Sequence, residues 1–342
     1  MHKFLTLIRR DMADNRGALV ITPLVIAAIV LLLGAFTTMT GHSRFGFDPN
    51  DFKSEFSIGH TDDVGGNQNS VTRDSQGRVI ITTPSGTRTL DQAIGEQGKA
   101  KIGVVMPMGT AIVGLLPIGV AAIVVLFLLA GCLYDERKDR TILFWKSMPV
   151  SDLSVVGAKM VSIIGIGFLI ALVVGMVIQL GSVGLASAGL AGVGVTGIPL
   201  GIILTNVALL WLVAIVALFV YIGWALPIYA WFLAVSAMAR KAPFVAALLP
   251  LALAPAIAGV LSLPGNIKTW TMPLRRLIGE QAFSNVSGNS FENLDRAPTS
   301  LQIHETITEI TSSMAEPAFW IGLVVAAALV YAASEIRRRR AL

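Results

Sequence analysis

Two short groups of polar residues have side chains that could bind a metal ion. His60, Asp62 and Asp63 offer nitrogen and oxygen ligands within a glycine-rich stretch, although a solvated turn explains the same composition. His304 and Glu305 resemble half of a zinc-binding helix, but the second histidine of that motif is absent. The chain also contains no P-loop sequence. We therefore predict no catalytic residue, no metal and no bound cofactor in this chain.

A third candidate is residues 134–152, YDERKDRTILFWKSMPVSD, whose residue types suit docking to a partner rather than catalysis. A charged run of mixed sign comes first, residues 141–148 are predicted to form a helical turn or two with an apolar ridge, and Pro149 ends that helix. Ser151 or Asp152 can cap the next helix. The alternative is an interfacial loop with aromatic anchors at the headgroups and solvated charges. The residues predicted to dock are Asp135, Glu136, Arg137, Asp139, Arg140, Thr141, Leu143, Phe144, Trp145, Lys146, Met148, Pro149 and Val150.

The composition predicts that most of the chain is surrounded by lipid. Of 342 residues, 54% are hydrophobic and 14% are charged, with a mean hydropathy of +0.73. Soluble domains have about a quarter charged residues. The net charge of +5 comes with basic residues at the ends of apolar runs, which is a membrane-orientation pattern and argues against a nucleic-acid partner. A single cysteine, Cys132, excludes an intrachain disulfide.

The apolar runs predict an all-α membrane protein with six transmembrane helices, since about 20 apolar residues cross a bilayer. A cleavable signal peptide is not evident, and residues 1–16 are predicted as an amphipathic interfacial helix, with a disordered basic leader as the alternative. The predicted spans are 17–38, 108–133, 160–181, 200–226, 243–263 and 317–336. The intervening parts are an outer insertion at 39–107, a cytoplasmic loop at 134–159, a short Gly/Ser-rich outer turn at 182–199, a continuation of the fourth span to 239 that bends at Pro227, an outer segment at 264–316 and a basic tail at 337–342.

The positive-inside rule places both termini in the cytoplasm, because basic residues flank the predicted inner ends of the spans and the turn at 182–199 has none. In the first outer segment, residues 77–90 alternate around Pro-Ser-Gly and predict a β-hairpin, after which Asp91 could cap a short helix at 92–97. In the second, apolar residues share one helical face and predict an interfacial helix, with a strand at 301–308 as the alternative. These residues are Ile303, Ile307, Ile310 and Met314.

The predicted spans lack a charged residue at their centres, which argues against an ion-coupled transporter. If the chain moves a molecule across the membrane, the energy is therefore expected from another protein.

Residues 133–160 resemble the first cytoplasmic loop of type-2 ABC exporter permeases, which joins the second and third spans. The family plan of an amphipathic N-terminal helix with an Asn-Arg-Gly, six spans and a large outer segment after the first span also fits, although the 39–106 insertion exceeds that of many members. The matching residues are Asp135, Glu136, Arg137, Asp139, Arg140, Ile142, Leu143, Phe144, Trp145, Lys146, Ser147, Pro149, Val150 and Ser151.

The resemblance implies a non-catalytic permease subunit in the bacterial cytoplasmic membrane. It would pair with a second permease copy and with two copies of a separate ATPase that binds ATP and Mg. The 134–152 loop would act as a coupling helix seated on the ATPase, and ATP-driven closure would switch the pathway from inward- to outward-facing.

In related permeases the second and fifth spans line the dimer interface, and here these spans are 108–133 and 243–263. Their glycines and prolines suit close packing and rearrangement, and equally suit a static bundle. The candidate pathway residues are Pro117, Gly131, Pro250, Pro255 and Gly259. An apolar pathway favours a lipid-like or amphipathic cargo. The alternative function is an autonomous membrane protein, either an ion transporter that uses backbone carbonyls or a scaffold with a sensing outer domain.

Overall fold

The computed structural model describes residues 2–39, 70–73, 78–83, 86–139, 151–260, 271–284 and 300–340. Their backbone is mostly helical, with one small sheet. The helices are α1 (His2–Asp14), α2 (Thr22–Met39), α3 (Leu90–Lys138), α4 (Asp152–Val161), α5 (Gly167–Gly192), α6 (Leu200–Met238), α7 (Pro243–Val260), α8 (Met272–Leu277), α9 (Ser300–Ser312) and α10 (Pro317–Arg340). Turns of π-helix at Gly17–Ile21 and Ser162–Ile166 lie between α1 and α2 and between α4 and α5.

The long helices are those of a multi-pass membrane protein. Many apolar side chains face outward, such as Ile112 at 72% and Phe219 at 73% exposed, and lipid is the solvent that such a surface suits. Within the described ranges, five helical segments are long and apolar enough to cross a bilayer: Gly17–Thr38, Leu90–Lys138, Asp152–Gly192, Leu200–Met238 and Pro317–Arg339. The apolar part of α7, Pro243–Ala254, is shorter, so the count of six spans stays a prediction.

The predicted turn at 182–199 is wrong over most of its length, because the third span and this stretch form one helical segment, Asp152–Gly192. Only residues 193–199 connect it to α6. The glycines here allow close packing: a Cβ on Gly181 would lie 2.6 Å from Leu31 Cδ2. The Ser187 hydroxyl donates to the Gly184 carbonyl at 2.8 Å, which satisfies it without leaving the helix.

One other helix is longer than predicted, and another has nearly the predicted extent. The short helix expected at 92–97 and the span at 108–133 belong to one helix, α3, whose backbone departs from helical angles at Gly95 (φ 61°). Helix α6 runs through Pro227 as a single 39-residue helix and ends one residue before the predicted end at 239. At 1.5 Å per residue it is about 58 Å long, well beyond the thickness of a hydrocarbon core.

The predicted β-hairpin is confirmed. Strands β2 (Val79–Thr83) and β3 (Gly86–Thr89) pair antiparallel, with Thr83 opposite Gly86 at the turn. A further strand that the sequence pattern did not indicate, β1 (Ser70–Arg73), pairs with the other edge of β2.

Asp91 does not act as the predicted cap, because helix α3 begins one residue earlier at Leu90. Its carboxylate accepts a hydrogen bond from the Thr196 amide at 3.0 Å and another from Lys99 at 3.2 Å. The Val79 amide also donates to the Val193 carbonyl at 3.1 Å. Hydrogen bonds therefore connect the sheet and the start of α3 to residues 193–199.

The chain divides into two compact units. The first comprises Met1–Leu24, Leu116–Val174 and Trp211–Leu342, and the second comprises Val25–Leu115 and Gly175–Leu210. In the first unit, Val125, Leu129, Phe168, Tyr229 and Phe232 form the centre of the core, each at most 1% exposed.

Residues 300–312 are helical, so the interfacial-helix prediction holds for their secondary structure and the strand alternative is wrong. On that helix, Ile310 is buried and packs in a small apolar cluster with Trp224 and Phe319. Tertiary packing against α6 thus uses the apolar face that the sequence pattern indicated.

Candidate functional site

The structure describes the two ends of the predicted docking segment. Helix α3 continues through Lys138, and the Asp139 amide still donates to the Asp135 carbonyl at 2.9 Å. Ser151 caps α4 by accepting a hydrogen bond from the Ser154 amide at 3.2 Å, which confirms the predicted cap. The other predicted docking residues, Arg140, Thr141, Leu143, Phe144, Trp145, Lys146, Met148, Pro149 and Val150, lie outside the described residues.

A buried cluster of charged residues joins these two ends. Lys159 on α4 is its centre: its Nζ lies 2.8 Å from Asp11 Oδ1 and 3.2 Å from Glu136 Oε1. All three side chains are at most 10% exposed. Asp11 comes from α1 and Glu136 from the last turns of α3, so one ammonium group connects three helices.

Arg337 on α10 extends the cluster. Its Nη2 lies 3.3 Å from Glu136 Oε2 and its Nη1 lies 3.2 Å from Asp152 Oδ1, with the arginine side chain 4% exposed. The three Arg337 nitrogens form no hydrogen bond within the described residues, so the attraction at these contacts is mainly coulombic. We call the set Asp11, Glu136, Asp152, Lys159 and Arg337 the charge cluster.

The charge cluster is nearly balanced, with three carboxylates against two cations. The Ser162 hydroxyl adds a hydrogen bond to Asp11 Oδ2 at 2.7 Å. Ser162 also starts the π-helical turn Ser162–Ile166, a local widening of the helix that is frequent at functional sites. Such a network is costly to break, because removing one partner leaves an uncompensated buried charge.

The charged run at the start of the docking segment was predicted to contact a partner, and two of its residues make contacts within the chain. Glu136 is 9% exposed and belongs to the charge cluster. Arg137 donates to the carbonyls of Ser236 and Ala239 at 2.7 and 2.8 Å, which satisfies acceptors at the end of α6 that have no partner within that helix. Asp135 and Asp139 are exposed.

Sequence reasoning missed Asp11, Lys159 and Arg337 as members of a site. One signal was available: Lys159 is a single cation in an otherwise apolar stretch, seven residues after Asp152 and therefore on the same helical face. A second missed residue is Arg276 on α8, which is 7% exposed and lies with its guanidinium 5.1 Å above the Trp224 ring. The segment 264–316 was predicted as an outer segment, and its helix α8 packs beside the middle of α6.

The candidate pathway residues lie on α3 and α7, and these two helices pack through the stacked rings of Phe127 and Phe244, 4.0 Å apart. Pro117 is buried and Pro250 is exposed. The structure therefore does not bring these two prolines to a common surface. Gly131 is half-buried on α3. The surroundings of Pro255 and Gly259 on α7 lie outside the described side chains.

The metal candidates have no counterpart in the described part of the chain, where no group of three or more His, Cys, Asp or Glu residues forms. His304 and Glu305 are exposed on α9, and His60, Asp62 and Asp63 lie outside the described residues. Comparison of this chain with family models, with curated proteins and with solved structures gave no match.

Proposed function

We propose that this chain is the membrane-spanning permease subunit of an ATP-binding-cassette exporter, driven by separate ATPase subunits through the 134–152 loop. One observation carries the proposal: the charge cluster connects α3, which leads into the 134–152 segment, to α4, which begins at its end, and connects both helices to α1 and α10. The sequence of the segment itself, with its Phe144-Trp145 pair and Pro149, supplies the resemblance to coupling helices.

The cluster suits a loop that has to transmit force. A segment held at one end only would absorb a push by bending, whereas here Glu136 lies near the start of the segment, Asp152 lies at its end, and Arg337 contacts both. A displacement of the segment would therefore move the ends of α3, α4 and α10 together. ATP and Mg would bind to the partner ATPase, and this chain would supply no catalytic group.

The assembly would contain two copies of the ATPase and a second permease copy, in the bacterial cytoplasmic membrane with both termini in the cytoplasm. The cargo would be amphipathic or lipid-like, because the long helices present apolar side chains. Membrane lipid would surround the complex, and no nucleic acid is involved.

The test replaces the two aromatic residues of the docking segment. The double variant Phe144→Ala with Trp145→Ala should still insert, but should lose most of the ATPase that co-purifies with the wild-type chain from native membranes, and most ATP-dependent transport. A matched control removes two aromatic side chains elsewhere, Phe219→Ala with Trp320→Ala, which are 73% and 58% exposed. That control should keep the ATPase.

Two results would overturn the proposal. The first is ATP-independent transport by the purified chain alone, which would favour the autonomous ion transporter. The second is an ATPase that binds the Phe144 and Trp145 variant as well as it binds the wild-type chain.

A further inference from the structure

Arg276 is a buried cation that no carboxylate neutralises among the described residues. Its side chain donates from Nη2 to the Ala318 carbonyl at 2.7 Å, while its Nε has no hydrogen-bond partner in that part of the chain. The adjacent Arg275 differs, because it forms a bidentate pair with Glu280 at 2.7 and 2.8 Å. Of the five N–H groups of the guanidinium, at least the Nε–H of Arg276 is therefore without an acceptor among the described residues.

The surroundings of Arg276 hold the side chain in place. The Trp224 ring lies below the guanidinium, and its own Nε1 donates to Ser313 Oγ at 3.2 Å, while Phe319 packs edge-on against it at 5.6 Å. Arg276 Nη1 packs against Gly322, where a Cβ would clash with it. These contacts fix the cation without supplying a negative charge.

The depth of Arg276 can be measured along two helices of the same compact unit. On α6, Trp224 precedes Ser236 by 12 residues, or about 18 Å, and Ser236 contacts the end of α3. On α10, Gly322 precedes Arg337 by 15 residues, or about 22 Å. If the charge cluster marks one membrane surface, a core about 30 Å thick encloses Arg276.

A cation at that depth is costly, and residues of this kind usually mark a ligand or a transport path. We propose that Arg276 binds the anionic headgroup, a carboxylate or a phosphate, of an amphipathic molecule whose apolar chain lies among the helices. The headgroup would accept the hydrogen bond that the Nε–H lacks, and the first part of the apolar chain would lie beside Trp224 and Phe319, which are 0% and 4% exposed in this structure. If the molecule is the exported cargo, this inference rests on the proposed function and restricts the cargo to anionic amphiphiles.

The test uses the purified full-length chain in neutral detergent, without any ATPase. Dibromostearate is the anionic probe, and its methyl ester is the matched neutral probe. Bromine quenches tryptophan fluorescence on contact. Quenching that is seen in the wild-type chain but not in the Trp224→Phe variant comes from Trp224 and therefore identifies binding beside Arg276. We expect the acid to quench Trp224 at a concentration at least about tenfold lower than the ester, as expected for a hydrogen bond to a charged group.

The variant Arg276→Gln should abolish this preference for the acid, and the control Arg275→Gln should keep it. If Arg276→Gln fails to fold, the comparison of acid and ester on the wild-type chain still tests whether the site prefers the anionic probe. Equal quenching by the two probes refutes the site. Failure of the Phe144 and Trp145 experiment would leave this binding result unchanged, so the two proposals fail separately.

Discussion

Replacement of Lys159 by methionine should strongly destabilise the protein. The variant keeps most of the side-chain volume and removes only the charge. At an effective dielectric constant of 20, the contacts at 2.8 and 3.2 Å contribute about 6 and about 5 kcal/mol of attraction. Several kcal/mol of desolvation cost is recovered when the ammonium is absent, which leaves a net loss of about 3–5 kcal/mol, the range measured when one partner of a buried ion pair is removed.

The free energy of unfolding can be measured by titrating the detergent-solubilised chain with SDS and following its helical circular dichroism. The double variant Asp11→Asn with Lys159→Met removes a carboxylate together with the cation. It should be more stable than Lys159→Met alone, because Ser162 can still bond to the amide that replaces Asp11. The matched control is Arg339→Met, which removes an arginine that pairs with Glu335 but is 76% exposed and should contribute little.

The reasoning would be refuted if Lys159→Met and Arg339→Met lost the same free energy. It would also be refuted if the Asp11 and Lys159 double variant lost the sum of the two single losses, since residues in one charge network do not act additively.

Three further outcomes can be measured by the same titration. Ser236→Ala should cost about 1–3 kcal/mol, because the buried hydroxyl accepts hydrogen bonds from two backbone amides of α3 at 3.1 Å; no change would mean that these amides have other acceptors. Gly114→Ala should cost about 1–3 kcal/mol, since a Cβ there would lie 2.9 Å from Gln179 Cβ, whereas Gly109→Ala meets open space and should be nearly neutral. Ser151→Ala removes the cap of α4 and should lower the free energy of unfolding by about 1 kcal/mol. A loss larger than that of Ser236→Ala would mean that Ser151 does more than cap the helix.

Local sequence patterns predicted the local structure well. The hairpin at 77–90 follows from alternation around a turn, and the Ser151 cap follows from a hydroxyl placed just before an apolar helix. Both depend on residues that are neighbours in the sequence, so no tertiary information was needed.

Helix lengths were harder to predict, because the sequence rule treats glycine and serine as signals for a turn. In residues 182–192 those small residues remain helical. The packing of Gly181 on Leu31 and the internal bond of Ser187 show why: side-chain contacts and satisfied hydroxyls offset a weak intrinsic preference.

The charge cluster could not be predicted from any one stretch of sequence. Glu136 lies in a run of charges that looks solvated, and only its approach to Lys159 and Arg337 makes burial tolerable. Arg276 was missed for the opposite reason, since it sits beside a paired arginine in a segment that looks external. In both cases burial is a property of helix packing, which charge patterns along the chain do not report.

The order in which the charge cluster is assembled bears on the biogenesis of the protein. Asp11, Glu136 and Lys159 leave the ribosome long before Arg337 does. Until α10 inserts, the three carboxylates share a single cation, so the packed cluster would have an excess of two negative charges, which Arg337 reduces to one. Insertion of the last helix is thereby linked to the stability of the first, and a chain that fails at this step retains the larger charge imbalance, which opposes its final packing.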